Sequence, residues 1–144
     1  MTAAAFIVSR TYSKLRSGSQ FRVVYGQGQR FHSPYFSAFF LATETREARL
    51  GITVTRKVGK AVLRNLCKRR LRALFQQHHA EVIHGAGYDL VVNAKTELAT
   101  APYALVESAF LQTLRRFQTL LQKRATLISS SGTLQQEGQD ESKL

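Results

Sequence analysis

Apolar positions recur along this chain in two periods, and the switches between them mark its elements. Phe21, Val24 and Tyr25 fall at i, i+3 and i+4 behind Ser17-Gly18-Ser19-Gln20. That order predicts a short amphipathic helix, with Ser17 as N-cap and Gln20 closing a capping box, ended by Gly26 and Gly28. Residues 35–41 are rich in aromatics and predict a strand. Within it Phe36 and Phe40 point to one sheet face, Tyr35 and Phe39 to the other. A polar turn follows at 43–47. Residues 50–55 alternate again, with Ile52 and Val54 opposite Thr53 and Thr55, and predict a second strand. From residue 58 to about residue 79 the period becomes helical, with Val62, Leu63, Leu66, Ala73 and Leu74 as the apolar side. Arg70 projects near the middle of that side, and the pattern offers no reason for it. Residues 84–87 read as a turn and residues 88–94 as a third strand. Pro102 suits the first turn of a last helix. Its apolar stripe is Tyr103, Val106, Phe110, Leu114, Phe117 and Leu121. The order helix, two strands, helix, strand, helix predicts an α+β sandwich with a small sheet.

Length and charge refine this picture. A chain of 144 residues suits one domain with a real core. The reading places a loose basic arm at 1–13, one domain at 14–124, and a polar tail at 125–144. The tail is Ser/Gly/Gln/Glu-rich from Ser129 and expected to be disordered. It holds one Lys and three acids, so residues 1–124 carry 20 basic against 6 acidic side chains, a net +14. The positive charge therefore belongs to the folded part and favours a nucleic acid over an anionic membrane as partner. No apolar run reaches the roughly 18 residues of a membrane span. Residues 1–8 are mildly apolar with no basic residue ahead of them, and no signal peptide is expected. Cys67 is the single cysteine. It leaves no intramolecular disulfide or cysteine zinc cluster and fits a reducing cytoplasm.

The charge concentrates in one run. Residues 56–72 hold eight Lys/Arg and no acid, the nearest acids being Glu47 and Glu81. Arg64, Lys68 and Arg72 are spaced by four, as are Asn65 and Arg69, so on a helix these five form one face. A solvated surface is the ordinary reading of a charged helix. The absence of acids and the ordered spacing favour a docking surface for a phosphate backbone instead.

The same run carries a resemblance. Lys57-x-Gly59-x-Ala61-Val62-x-Arg64-Asn65-x-x-Lys68-Arg69-x-x-Arg72 follows a strand reading Leu50-Gly51-Ile52-Thr53-Val54-Thr55. Upstream lies Phe21…Tyr25-x-x-Gly28, and downstream Gly87-Tyr88-Asp89-Leu90-Val91-Val92. Over roughly residues 10–122 the chain resembles the protein subunit of bacterial ribonuclease P. The resemblance implies a two-layer α-β sandwich whose basic helix lies in a left-handed strand-helix-strand crossover, a hand that is rare in general. It implies a cytoplasmic, non-catalytic subunit that assists a catalytic RNA in the endonucleolytic removal of the 5′ leader of precursor tRNA. The implied RNA-binding set is Arg56, Lys57, Lys60, Arg64, Asn65, Lys68, Arg69 and Arg72. Lys68, Arg69 and Arg72 would face the catalytic RNA, and Arg64 and Asn65 the leader. The implied leader cleft holds Phe21, Tyr25 and Phe39, with Phe36 at the core or the cleft edge. Mg²⁺ is expected mainly on the RNA, with none held by a protein motif. The expected partners are the catalytic RNA and precursor tRNA, with no membrane and no stable protein partner. One departure is Leu66, where the family usually has a third basic residue after the Arg-Asn pair.

Other signals are weaker. Aromatic side chains are more often core than binding residues. One face of the 35–41 strand must pack on helices, and the other is free to offer stacking platforms for unpaired bases. His78, His79 and His84 suggest a favourable helix C-terminus more than a metal site. The acids of the ordered region, Glu44, Glu47, Glu81, Asp89, Glu97 and Glu107, are scattered. They form no Asp-x-Asp or Glu-x-x-His pattern of the kind a two-metal nuclease needs.

Overall fold

The computed structural model describes residues 12–83 and 86–142, with side chains up to residue 124. The elements are β1 (Ser13–Lys14), α1 (Gly18–Gln27), β2 (Gln29–His32), β3 (Phe36–Thr43), β4 (Ala48–Thr53), a 3-10 turn (Arg56–Val58), α2 (Ala61–Val82), β5 (Gly87–Ala94), α3 (Glu97–Thr100) and α4 (Tyr103–Ser142). The five strands form one sheet in the order β1-β4-β5-β3-β2. β4 and β5 are parallel neighbours, with Leu50 beside Leu90 and Ile52 beside Val92. A parallel pair needs a crossover, and the basic helix α2 is that crossover. β3 runs antiparallel to both β5 and β2.

Strand alternation divides the sheet into two unequal faces. Phe36, Ala38 and Phe40 of β3 and Tyr88, Leu90 and Val92 of β5 bury against the helices α2 and α4. There Phe40 stacks on Phe117 with ring centroids 3.9 Å apart, and Phe36 meets Phe110 edge-on at 5.9 Å. The other face carries a smaller cluster, Leu15, Val24 and Val91 with Phe21, Phe39 and Leu41 beside them. Helix α1 covers only part of it. The capping box forms as the sequence predicts. The Gln20 amide N–H donates to Ser17 Oγ at 3.3 Å, and the Ser17 N–H donates back to Gln20 Oε1 at 3.1 Å.

Several expectations shift. The second strand is Ala48–Thr53 and not 50–55. The basic helix begins at Ala61, three residues late, because Gly59 at φ 141° breaks the chain between the 3-10 turn and α2. That conformation is open to glycine and strained for other residues. The buried stripe of α2 is Cys67, Leu71, Leu74, Phe75 and Ala80. Of the expected apolar side only Leu74 is fully buried. Val62 is 78% exposed and Leu63 36% exposed, because the first turn of α2 lies uncovered. Arg70 gains its explanation. Its guanidinium donates two hydrogen bonds of 3.0 Å, to the carbonyls of Leu98 and Ala101 at the end of α3, and lies 5.7 Å from the Tyr103 ring centre. It pins the connection between β5 and α4. The arm expected at 1–13 lies outside the described residues up to residue 11, and Ser13–Lys14 pairs with β4 as a parallel edge. The α4 backbone continues to Ser142 through the segment whose composition predicts disorder. No proline interrupts it, and extending an existing helix adds a hydrogen bond per residue.

Candidate nucleic-acid interface

The interface builds outward from α1. Phe21 and Tyr25 sit one helical turn apart on its sheet-facing side, with ring centroids 6.5 Å apart. Tyr25 then meets Phe39 of β3 edge-on at 4.9 Å. The Tyr25 hydroxyl donates to Asn93 Oδ1 at 2.9 Å and lies 3.4 Å from Thr53 Oγ1. These bonds fix the ring's tilt from strands β5 and β4. Tyr25 is 38% exposed, and Phe21 and Phe39 are half-buried. The three rings therefore form a row whose outer surfaces are open to solvent. Gly51 on β4 makes the row possible. A Cβ there would stand 2.7 Å from the Phe21 ring, so only glycine lets that ring lie against the strand.

At its α1 N-terminal end the row adjoins the basic helix. Phe21, Gly51 and Ile52 share a cavity of about 190 Å³ with Lys14, Lys68 and Arg72. Lys68 and Arg72, one turn apart on α2, thus meet the aromatic row across the β1–β4 edge. Arg69 and Asn65 are exposed on the neighbouring flank, and Leu66 is half-buried. Arg64 folds back, its Nε donating to the Gly59 carbonyl at 3.2 Å. Arg56, Lys57 and Lys60 are exposed at the start of the helix. That start has no acid in its first turn and no side-chain cap. Its free N–H groups and the helix dipole add to the surrounding cations, a combination that attracts anions.

The structure separates one expected cleft residue from the rest. Phe36 has no exposed surface and packs on Phe110, on the opposite sheet face. Residues 36 and 39 differ in parity, so Phe36 belongs to the core and not to the cleft. Sequence reasoning missed Lys14, Gly51, Thr53 and Asn93. Asn93 had a signal: it is a polar residue directly after the apolar run Leu90-Val91-Val92 and shares strand parity with Val91.

Three of the acids are engaged elsewhere. Asp89 makes a bidentate pair with Arg49 at 2.7 Å for each bond, which raises the Arg49 guanidinium further above its ordinary range. Glu107 contacts His78 at 2.8 Å, and Glu47 accepts from Ser13. His79 is buried and stacked on Phe75, and His84 lies outside the described residues. Among the described residues no three His, Cys, Asp or Glu side chains group so as to hold a metal ion, and no helix is long and apolar enough to cross a membrane.

Known proteins resemble this chain in sequence and fold. A family model described as Ribonuclease P matches residues 10–130. The ribonuclease P protein component of Desulfovibrio desulfuricans is 37% identical over 105 residues, spanning 72% of this chain and 81% of that protein. That of a Nitratiruptor species is 36% identical over 104 residues, spanning 72% and 91%. The solved RNase P protein from Thermotoga maritima superposes with a TM-score of 0.65 at 30% identity, covering 72% of this chain and 96% of that one. The Staphylococcus aureus RNase P protein has the same fold, with a TM-score of 0.64 at 24% identity over 73% and 94%.

Proposed function

The chain belongs to the ribonuclease P protein family, and we propose that within that enzyme it holds two RNAs side by side. The exposed face of α2, with Lys68, Arg69 and Arg72, neutralises phosphates of the catalytic RNA. Arg56, Lys57 and Lys60 extend that surface at the helix start. The row Phe21, Tyr25 and Phe39 stacks unpaired bases of the precursor tRNA's 5′ leader, with Arg64 and Asn65 on the leader side. Stacking on such rings is worth about 1–3 kcal/mol per base and tolerates any sequence. The catalytic RNA performs the cleavage in the cytoplasm, and Mg²⁺ is held mainly by RNA. The protein lowers the electrostatic cost of bringing two polyanions together, so that less Mg²⁺ is needed.

One observation carries this reading: the open aromatic row runs directly into the cavity shared with Lys68 and Arg72. The test is reconstitution with a bacterial catalytic RNA at low Mg²⁺. Precursor cleavage should rise when the protein is added, and no gain would refute the proposal. Phe21→Ala with Tyr25→Ala should weaken leader-bearing tRNA selectively over mature tRNA. An equal loss on both would reduce the protein to a plain RNA binder. Replacing Lys68 or Arg69 with Ala should lower the slope of log K against log salt by up to about one for each phosphate no longer neutralised.

A further inference from the structure

At the far side of the sheet a second pair of cations is held without an acid. Edge strand β2 and helix α4 enclose a groove of about 310 Å³ lined by Gln29, Arg30, Phe31, Arg116, Thr119 and Leu120. The Arg30 guanidinium lies 5.4 Å from the centre of the Phe39 ring, and that of Arg116 lies 5.0 Å from the centre of Phe31. Neither makes an ion pair among the described residues, unlike Arg49 with Asp89. Three other arginines are committed: Arg49 to a carboxylate, Arg64 and Arg70 to backbone carbonyls. A guanidinium pinned by its face on an aromatic ring keeps its in-plane N–H donors free, in the fork that suits a phosphate.

We propose that this groove is a second phosphate site, occupied by the leader strand where it leaves the aromatic row. The inference rests on the leader reading given above. Arg30 and Phe39 are register partners on adjacent strands, so Arg30 stands at the end of the row. The sheet order puts β1, beside Lys68 and Arg72, and β2 at opposite edges. They are about 19 Å apart at about 4.8 Å per strand. A strand that crosses Phe21, Tyr25 and Phe39, away from the edge where the catalytic RNA is gripped, therefore leaves the row beside Arg30. Arg30 approaches the groove from the cleft face, and Arg116 from the helix face. The leader would meet Arg30 first and Arg116 as it rounds the edge. The plain alternative is that Arg30 only blunts an exposed strand edge against self-association. Such a role is indifferent to leader length.

The experiment compares two precursors of one tRNA, one with a leader ending over the aromatic row and one with a leader extended beyond it. Each is titrated against holoenzyme reconstituted with wild-type protein or with the double variant Arg30→Ala/Arg116→Ala. Wild type should bind the extended precursor more tightly, and the double variant should lose that gain, several-fold. The salt slope should fall by about 0.7 for each phosphate released from the groove, the single-strand value, on the extended precursor alone. Affinity for the shorter precursor and for the catalytic RNA should stay unchanged. A loss on both precursors, a loss of catalytic-RNA affinity, or no loss at all would overturn the groove. If wild type fails to distinguish even the shorter precursor from mature tRNA, the leader reading itself fails, and the groove with it. Single variants serve if the double variant does not fold, and Arg30→Lys/Arg116→Lys should restore the salt slope.

Discussion

Arg70 lies inside the most basic stretch of the chain, yet its geometry assigns it to the fold, and that makes Arg70→Ala the sharpest test of the reading. The change removes the donor from two carbonyls, Leu98 and Ala101, each bonded at 3.0 Å. A buried carbonyl left without its donor costs about 1–3 kcal/mol. The site is only partly buried, so water reaches it and the low end applies, about 1 kcal/mol for each. The interaction with Tyr103 adds about 0.5–1 kcal/mol. The sum is about 2.5–3 kcal/mol. With a urea slope of about 1–3 kcal/mol/M, the unfolding midpoint should fall by about 1–3 M. RNA affinity, measured on protein still folded, should keep its salt slope, because Arg70 Nη1 donates to two backbone carbonyls and the guanidinium lies beside the Tyr103 ring, which turns the side chain toward the protein. Lys68→Ala should do the reverse, leaving the urea midpoint nearly unchanged and flattening the salt slope by up to about one. An Arg70→Ala protein with wild-type stability and a flattened slope would refute the assignment.

Tyr88→Phe should stabilise the protein by about 1 kcal/mol, because the Tyr88 hydroxyl is buried with no hydrogen-bond partner among the described residues; a calorimetric midpoint that falls would contradict this. The same group predicts alkaline behaviour. Burial pushes the Tyr88 phenol well up, so above about pH 10 the unfolded chain sheds this proton while the folded one keeps it. The associated stability is fully present below that pH and declines as pH rises, a loss that Tyr88→Phe should remove from the pH profile of urea midpoints. Gly51→Ala should displace the Phe21 ring, which a Cβ would approach to 2.7 Å; equilibrium titrations should show weaker binding of leader-bearing tRNA with catalytic-RNA affinity unchanged.

What could be read from the sequence was what local rules decide. Ser17 and Gln20 cap α1 through hydrogen bonds spanning three residues, and the apolar stripe of α4 holds from Val106 to Phe117 because one long helix covers one sheet face. Alternation put Phe36 and Phe39 on opposite faces but could not say which face the helices would take. That is why Phe36 stayed open between the core and the cleft edge until burial placed it in the core. Strand β2 escaped notice because Phe31 is its only buried residue, an edge strand that pairs on one side. The buried face of α2 was misplaced because periodicity fixes spacing but not where a helix leaves its cover. Arg70 needed knowledge of carbonyls 28 and 31 residues away. The cavity joining Phe21 to Lys68 depends on β1 pairing in parallel with β4, a meeting of segments far apart in the chain.

The division of the sheet by parity has a consequence for how such a protein can change over generations. Residues 36, 38 and 40 are buried on the helix side, while 37, 39 and 41 face the other way. Substitutions in the second set can retune what the surface grips while the first set holds the shape constant. Two histories can therefore be written on the same eight-residue strand. An insertion or deletion of one residue would exchange them, and lineages should tolerate replacement within β3 far better than any change in its length.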